Sequence, residues 1–313
     1  MIRIGSRGSA LARWQADHIA AELRDRGHQV SIEILVTTGD RVQHAPFMQV
    51  GTKGMFTKEI EEALADERID LAVHSLKDLP TELSEEFIIA AVPKRADPRD
   101  AFVSVHYENF AALPSGAVVG TSSLRRQAQL RALRSDVDVR ELRGNVDTRL
   151  RKLHEGQYDA IILAAAGLDR LGLAADVKEL FSPVEMCPAA GQGALAIECR
   201  TNDNVTRAVV SALDDPSAHF AVLVERAALA TLGGGCHLPV GVYCEPADKG
   251  WNVIGVVARP DGSQILREHI ELHQARPLAE DAGSAVANRL LARGAAEFLA
   301  AAETAPPAGN PGR

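Results

Sequence analysis

Aromatic side chains are scarce, making up 4% of the 313 residues. Surfaces that bind single-stranded nucleic acid stack bases on aromatic faces, so this scarcity argues against such a role. The net charge of −8 argues the same way, because non-specific nucleic-acid binding needs a broad basic face. No apolar run approaches the roughly 20 residues of a membrane-spanning helix, and the opening MIRIGSR lacks the apolar core of an export signal. A cytoplasmic protein is expected, with neither membrane nor nucleic acid as partner. Cysteine is also sparse: Cys187, Cys199, Cys236 and Cys244 show no CxxC spacing and read as free thiols. Cys236, His237 and Cys244 lack a fourth ligand and a familiar spacing, so no metal site is expected.

What is present is a globular composition, 46% hydrophobic and 24% charged, in a chain too long for one ordinary core. Strand and helix periods alternate over the first 95 residues: strands at 2–5, 31–36 and 69–73, helices at 11–23 and around Phe56, Ile60 and Leu64. That alternation predicts a largely parallel sheet. Residues 37–54 fit neither period and are expected to form a mobile loop or lid. A second α/β block follows Asp97-Pro98, with strands at 117–119, 137–142 and 160–164 and helices at 122–133 and 145–153, the latter capped by Asn145. After a strand at 194–199 comes a helix at 217–232, then strands at 240–244, 251–258 and 264–272 and one long helix at 278–302. The fold class expected is α/β: residues 1–95 with 194–214 as one lobe, 98–190 as a second, and 216–303 as a small α+β domain on a short antiparallel sheet. Residues 304–313 read as a disordered tail.

Residues 120–152 carry nine cationic side chains against four carboxylates, a local excess of five in an anionic protein. An excess against the global sign suggests an anionic ligand. Thr121, Ser122 and Ser123 stand where strand meets helix, so backbone N–H groups and hydroxyls can meet an anion there. Arg125 and Arg126 follow and can grip carboxylates bidentately. The competing reading is a solvated arginine-rich helix face. IGSRGS at 4–9 repeats the arrangement with Arg7 and Ser9, and in open α/β sheets ligands sit at such strand ends. His74-Ser75-Leu76-Lys77-Asp78 ends another strand; Asp78 is either a cap or a carboxylate that moves protons and stabilises a cation. Cys236 follows three glycines at a helix end, where the dipole does not activate a thiol, so a reactive role needs a strong electrophile.

Collinear segments then add a resemblance from about residue 2 to 299. VGTKGMFTKEIE (50–61), DLAVHSLKDLP (70–80), DPRDAFVS (97–104), VGTSSLRRQAQL (119–130), LRGNVDTRL (142–150), YDAIILAAAGLDRLGL (158–173), AAGQGALAIECR (189–200) and GGGCHLPVG (233–241) closely resemble hydroxymethylbilane synthases, the porphobilinogen deaminase family. The resemblance implies two lobes shaped like type II periplasmic binding proteins and a third, cofactor-carrying domain in a monomer. It implies a dipyrromethane bound to Cys236 by a thioether and extended by four porphobilinogens before hydrolysis releases the linear tetrapyrrole. Porphobilinogen loses ammonia to give an azafulvene, an electrophile that even an unactivated thiol can capture. Its acetate and propionate explain the arginine excess. On matched positions Asp78 is the catalytic carboxylate. Lys77, Thr121, Ser123, Arg125 and Arg126 hold the cofactor; Gln192 is a weaker match with no role assigned. Arg7, Ser9, Gln15, Arg143, Arg149 and Arg170 serve the substrate and growing chain, and Lys53 and Lys58 flank the lid. Ser6 stands where threonine is frequent, His237 stands where other polar residues also occur, and Asp169 sets a negative charge beside Arg170. The alternative reading is a non-catalytic two-lobed anion-binding protein, which has no need of Cys236 or Asp78.

Overall fold

The computed structural model describes residues 1–37, 57–235, 238–273 and 278–304. In chain order the first elements are β1 (Ile2–Arg7), α1 (Ala10–Asp25), β2 (Val30–Leu35), α2 (Lys58–Ala65), β3 (Leu71–Ser75) and β4 (Phe87–Ala91). A second set follows: β5 (Asp100–Val103), β6 (Val118–Gly120), α3 (Leu124–Leu133), β7 (Asp138–Arg140), α4 (Val146–His154), β8 (Ala160–Ala164), α5 (Ala165–Arg170) and β9 (Val177–Leu180). The chain continues through β10 (Leu195–Arg200), α6 (Asn204–Val210) and α7 (Pro216–Thr231). It ends with β11 (Val240–Ala247), β12 (Gly250–Ala258), β13 (Ile265–Leu272), α8 (Ala279–Ala292) and α9 (Ala295–Thr304). Two compact units emerge, residues 1–96 with 193–220, and residues 97–192 with 221–313.

The first unit is built on a sheet of order β2-β1-β3-β10-β4, parallel from β2 to β3, with β10 antiparallel to both neighbours. Side chains alternate across a strand, and here both faces are covered. Leu71 and Val73 of β3 pack with Ile4 and Ile197 under Ala16, Ile19, Ala20 and Leu23 of α1, the stripe its sequence period requires. Ala72, between them, faces Ile60, Ala63 and Leu64 of α2. Ser9 caps α1, its Oγ accepting from Ala12 N at 3.3 Å.

The second unit repeats that design in a sheet of order β7-β6-β8-β5-β9, with β5 as the antiparallel strand. Phe102 packs with Val119, Leu130 and Ile162, while its neighbours Ala101 and Val103 face the cluster of Leu150, Leu153 and Leu168. Asn145 does precede α4, but its side chain makes no capping bond; its carbonyl accepts from Arg149 N instead. The same unit holds the antiparallel sheet β11-β12-β13. The expected single helix at 278–302 is two helices, because Gly294 turns the chain at φ +94° between them, and α9 reaches Thr304 at the edge of the expected tail. Among the described residues no helix is long and apolar enough to cross a membrane.

Helices α7 and α8 touch at Gly283, where a Cβ would lie 2.4 Å from Val224 O and 2.7 Å from Ala227 Cβ. Gly283→Val is therefore expected to destabilise the protein by about 1–3 kcal/mol through overpacking. The denaturant midpoint measures this; an unchanged midpoint would show that the helices do not approach so closely.

Candidate active site

The carboxyl ends of β1 and β3 open onto a cavity of about 60 Å³ whose walls include Arg7, Ser9, Gln15, His74, Ser75 and Asp78. Strand ends of an open α/β sheet are where ligands bind, and the start of α1 supplies N–H donors there. Gln15 is buried and fixed, its Nε2 donating to Ser75 Oγ at 2.7 Å. Beyond Ser75 the chain makes a single 3-10 turn, Leu76–Asp78, anchored by Leu76 N donating to Ala194 O at 3.1 Å. That turn leaves Asp78 exposed and Lys77 half-buried. Four of the expected site residues, Arg7, Ser9, Gln15 and Asp78, thus share one cavity.

Sequence reasoning missed what lies behind it. His74 Nε2 meets Glu198 Oε2 at 2.9 Å, with both residues buried, and burial followed by Glu198 raises the Glu61 carboxyl. A carboxylate inside the apolar run ALAIEC was the available signal.

In the second unit Thr121 is buried at the end of β6, and Ser123 caps α3, its Oγ accepting from Arg126 N at 3.4 Å. Arg125 and Arg126 do not lie on a solvated face; both are buried and turn to Asp100. Burial alone would raise the Asp100 carboxyl, but the two guanidiniums hold it well below the usual carboxylate range. Burial, with Arg125 beside it, lowers Arg126 despite the carboxylate. Arg170 is buried as well, and burial pushes it down to about 10 against the opposing charge of Asp169.

The remaining arginines of the cationic stretch divide. Arg134 pairs with Asp136 and Arg140 with Asp138, each at 2.6 Å, and Arg151 with Glu155 at 2.8 Å. Arg131 donates to Pro260 O at 2.9 Å, so it serves packing. Arg143 meets Glu141 and Arg149 donates to Gly144 O at 2.8 Å; both side chains stay partly accessible. Lys58 is exposed near Glu62, and Lys53 lies outside the described residues together with the rest of 38–56.

Cys236 and His237 are likewise outside the described residues. The approach to them is described: α7 is followed by Gly233, Gly234 and Gly235, all at positive φ, with Gly234 N donating back to Leu229 O at 2.8 Å. The other three thiols are buried. Burial pushes Cys187 up to about 12 and Cys199 up to about 11, so neither supplies thiolate at neutral pH.

The donors fit a group bearing several carboxylates. Within the second unit, hydroxyls gather at the start of α3, and Arg125 Nε is buried with no acceptor, an orphan donor that an added carboxylate would satisfy.

Comparison with known proteins gives one family. The model described as porphobilinogen deaminase, dipyromethane cofactor binding domain, matches residues 2–208, and that of the porphobilinogen deaminase C-terminal domain matches 219–292. The porphobilinogen deaminase of Thiobacillus denitrificans is 49% identical over 300 residues, covering 95% of this chain and 97% of that protein. That of Chromobacterium violaceum is 48% identical over 302 residues, covering 96% and 97%. Among solved structures, a nutrient binding protein from Burkholderia cenocepacia bound to methionine aligns over 70% of this chain and 93% of its own, at 14% identity and a TM-score of 0.44.

Proposed function

The chain belongs to the porphobilinogen deaminase (hydroxymethylbilane synthase) family, and we propose that it joins four porphobilinogen molecules head to tail on a dipyrromethane carried by Cys236. The family members are transferases of tetrapyrrole biosynthesis, and its cofactor-binding domain covers two thirds of this sequence. The observation that carries the reading is the cavity at the ends of β1 and β3, which brings Asp78 together with Arg7, Ser9 and Gln15.

When bound, the dipyrromethane supplies the electron-rich pyrrole carbon to which the first incoming unit is joined. Asp78 accepts a hydrogen bond from the substrate's pyrrole N–H and stabilises the positive charge that grows as ammonia leaves. The same carboxylate takes up and returns the proton exchanged in each cycle. Arg7, with Ser9 and the fixed Gln15, binds the acetate and propionate of the incoming porphobilinogen. Lys77, Thr121, Ser123, Arg125 and Arg126 are assigned to the carboxylates of the cofactor. Arg143, Arg149 and Arg170 take those of the lengthening chain, and Lys53 and Lys58 steer the anionic substrate. Residues 216–303 are assigned as the cofactor-carrying domain, with residues 1–95 and 194–214 as one lobe and 98–190 as the other. Hydrolysis then frees the linear tetrapyrrole. The setting this reading expects is a cytoplasmic monomer, checked by cell fractionation and light scattering.

The direct test is ammonia release from porphobilinogen by the purified protein. One ammonia per unit consumed is expected; binding without release would leave only an anion-binding protein. Within that assay Arg143→Ala and Arg149→Ala are each expected to slow elongation about 10- to 100-fold, the worth of one charge-assisted hydrogen bond. Native mass spectra should then show the intermediates piling up at one length. Unchanged turnover with an unchanged distribution would return these two arginines to the solvated-face reading.

A further inference from the structure

In the second unit two guanidiniums are buried against one carboxylate. Asp100 Oδ2 accepts from Arg125 Nη1 at 2.7 Å, while Asp100 Oδ1 accepts from Arg126 Nη2 at 2.6 Å and from Arg126 Nε at 2.9 Å. Gln192 Nε2 donates to the same Oδ1 at 2.9 Å and holds Pro98 O at 2.7 Å, which fixes the carboxylate's orientation. Arg126 is thus gripped bidentately, and its Nη1 donates to Ile162 O at 3.1 Å. Arg125 is held by only one edge: Nη1 serves Asp100 and Cys187 O, while Nε is buried without an acceptor. Asp100 pairs with both guanidiniums, so the trio carries one net positive charge, and the donor left without an acceptor is Arg125 Nε.

We propose that Asp100 is a positioning residue that cancels one of the two arginine charges and so sets the pair to receive a single ligand carboxylate, at the unsatisfied edge of Arg125. The proposal rests on the cofactor role assigned to the two arginines above, and it gives them different tasks: Arg125 makes the contact, and Arg126 is the anchor that holds Asp100 in place. The physical reason is charge balance in a site that excludes water. With no internal carboxylate the two like charges repel and Arg125 loses its fixed position. With two carboxylates, or one arginine fewer, no positive charge is left for a ligand.

Charge rescue tests this. Asp100→Asn raises the charge of the trio by one, Arg126→Gln lowers it by one, and the double variant restores it with a neutral, hydrogen-bonding pair. The readout is the fraction of purified protein that carries the two-pyrrole adduct by intact mass, with circular dichroism reporting the fold. Each single variant is expected to carry at least about tenfold less adduct, and the double to return within about twofold of the unsubstituted protein. A purely structural role predicts that each single variant loses adduct only as far as it loses folded structure by circular dichroism, whereas a positioning role predicts loss of adduct from folded protein. Singles loaded like the unsubstituted protein, or a double no better loaded than the singles, would overturn the assignment. A single variant that fails to fold leaves the double to decide by the same comparison. Absence of the adduct from the unsubstituted protein is a different failure, since it would remove the proposed function itself.

Discussion

Asp78→Asn is expected to lower turnover by about 100- to 10,000-fold, the range spanned by loss of a general acid–base group or of one preorganised electrostatic contact. The amide keeps the shape of the carboxylate while removing its charge and its basicity. It can neither balance a cation on a pyrrole nitrogen nor take up a proton. Because Asp78 sits exposed at the end of the Leu76–Asp78 turn, the fold should be unaffected, with stability changed by no more than about 0.5 kcal/mol. Steady-state ammonia release by the purified variant, paired with its thermal midpoint, separates the two effects. Near-normal turnover would remove Asp78 from the chemistry and make it a surface residue of the turn.

The first unit was legible because its information is local. The stripe of Ala16, Ile19 and Leu23 on α1 and the apolar run before His74 each declare themselves within a few residues. What depends on distant partners was not legible. β4 is a short apolar stretch whose only strand partner among the described residues, β10, comes about a hundred residues later. β5 begins with an aspartate, a residue that reads as a loop solvator until the fold buries it against two guanidiniums. The charge count over 120–152 was right as arithmetic but overstated the cations available to a ligand. Asp136 and Asp138 stand two residues from arginines and pair with them, and Arg125 with Arg126 turns inward. The break at Gly294 was visible as a glycine within a helical pattern, yet only the packing of two helices on one sheet reveals it as a turn.

Cys236→Ser is expected to abolish activity and the covalent adduct together. A serine oxygen is a weaker nucleophile toward the electrophile that follows loss of ammonia, and any ether it formed would be more acid-labile than a thioether. Cys187, Cys199 and Cys244 cannot take over, since all three are buried. An exposed, unmodified Cys236 would be an incidental thiol at a glycine-rich helix end, and its replacement would leave turnover intact.

The most direct measurement is the intact mass of the unsubstituted, freshly purified and active protein. A thioether resists reducing agents where a disulfide does not. The mass should therefore exceed that of the 313-residue chain by two pyrrole units, through denaturation and thiol reductant alike. Peptide mapping should place the excess on the segment holding Gly233-Gly234-Gly235-Cys236. An active protein whose mass equals that of the bare chain would contradict the cofactor assignment and the mechanism built on it.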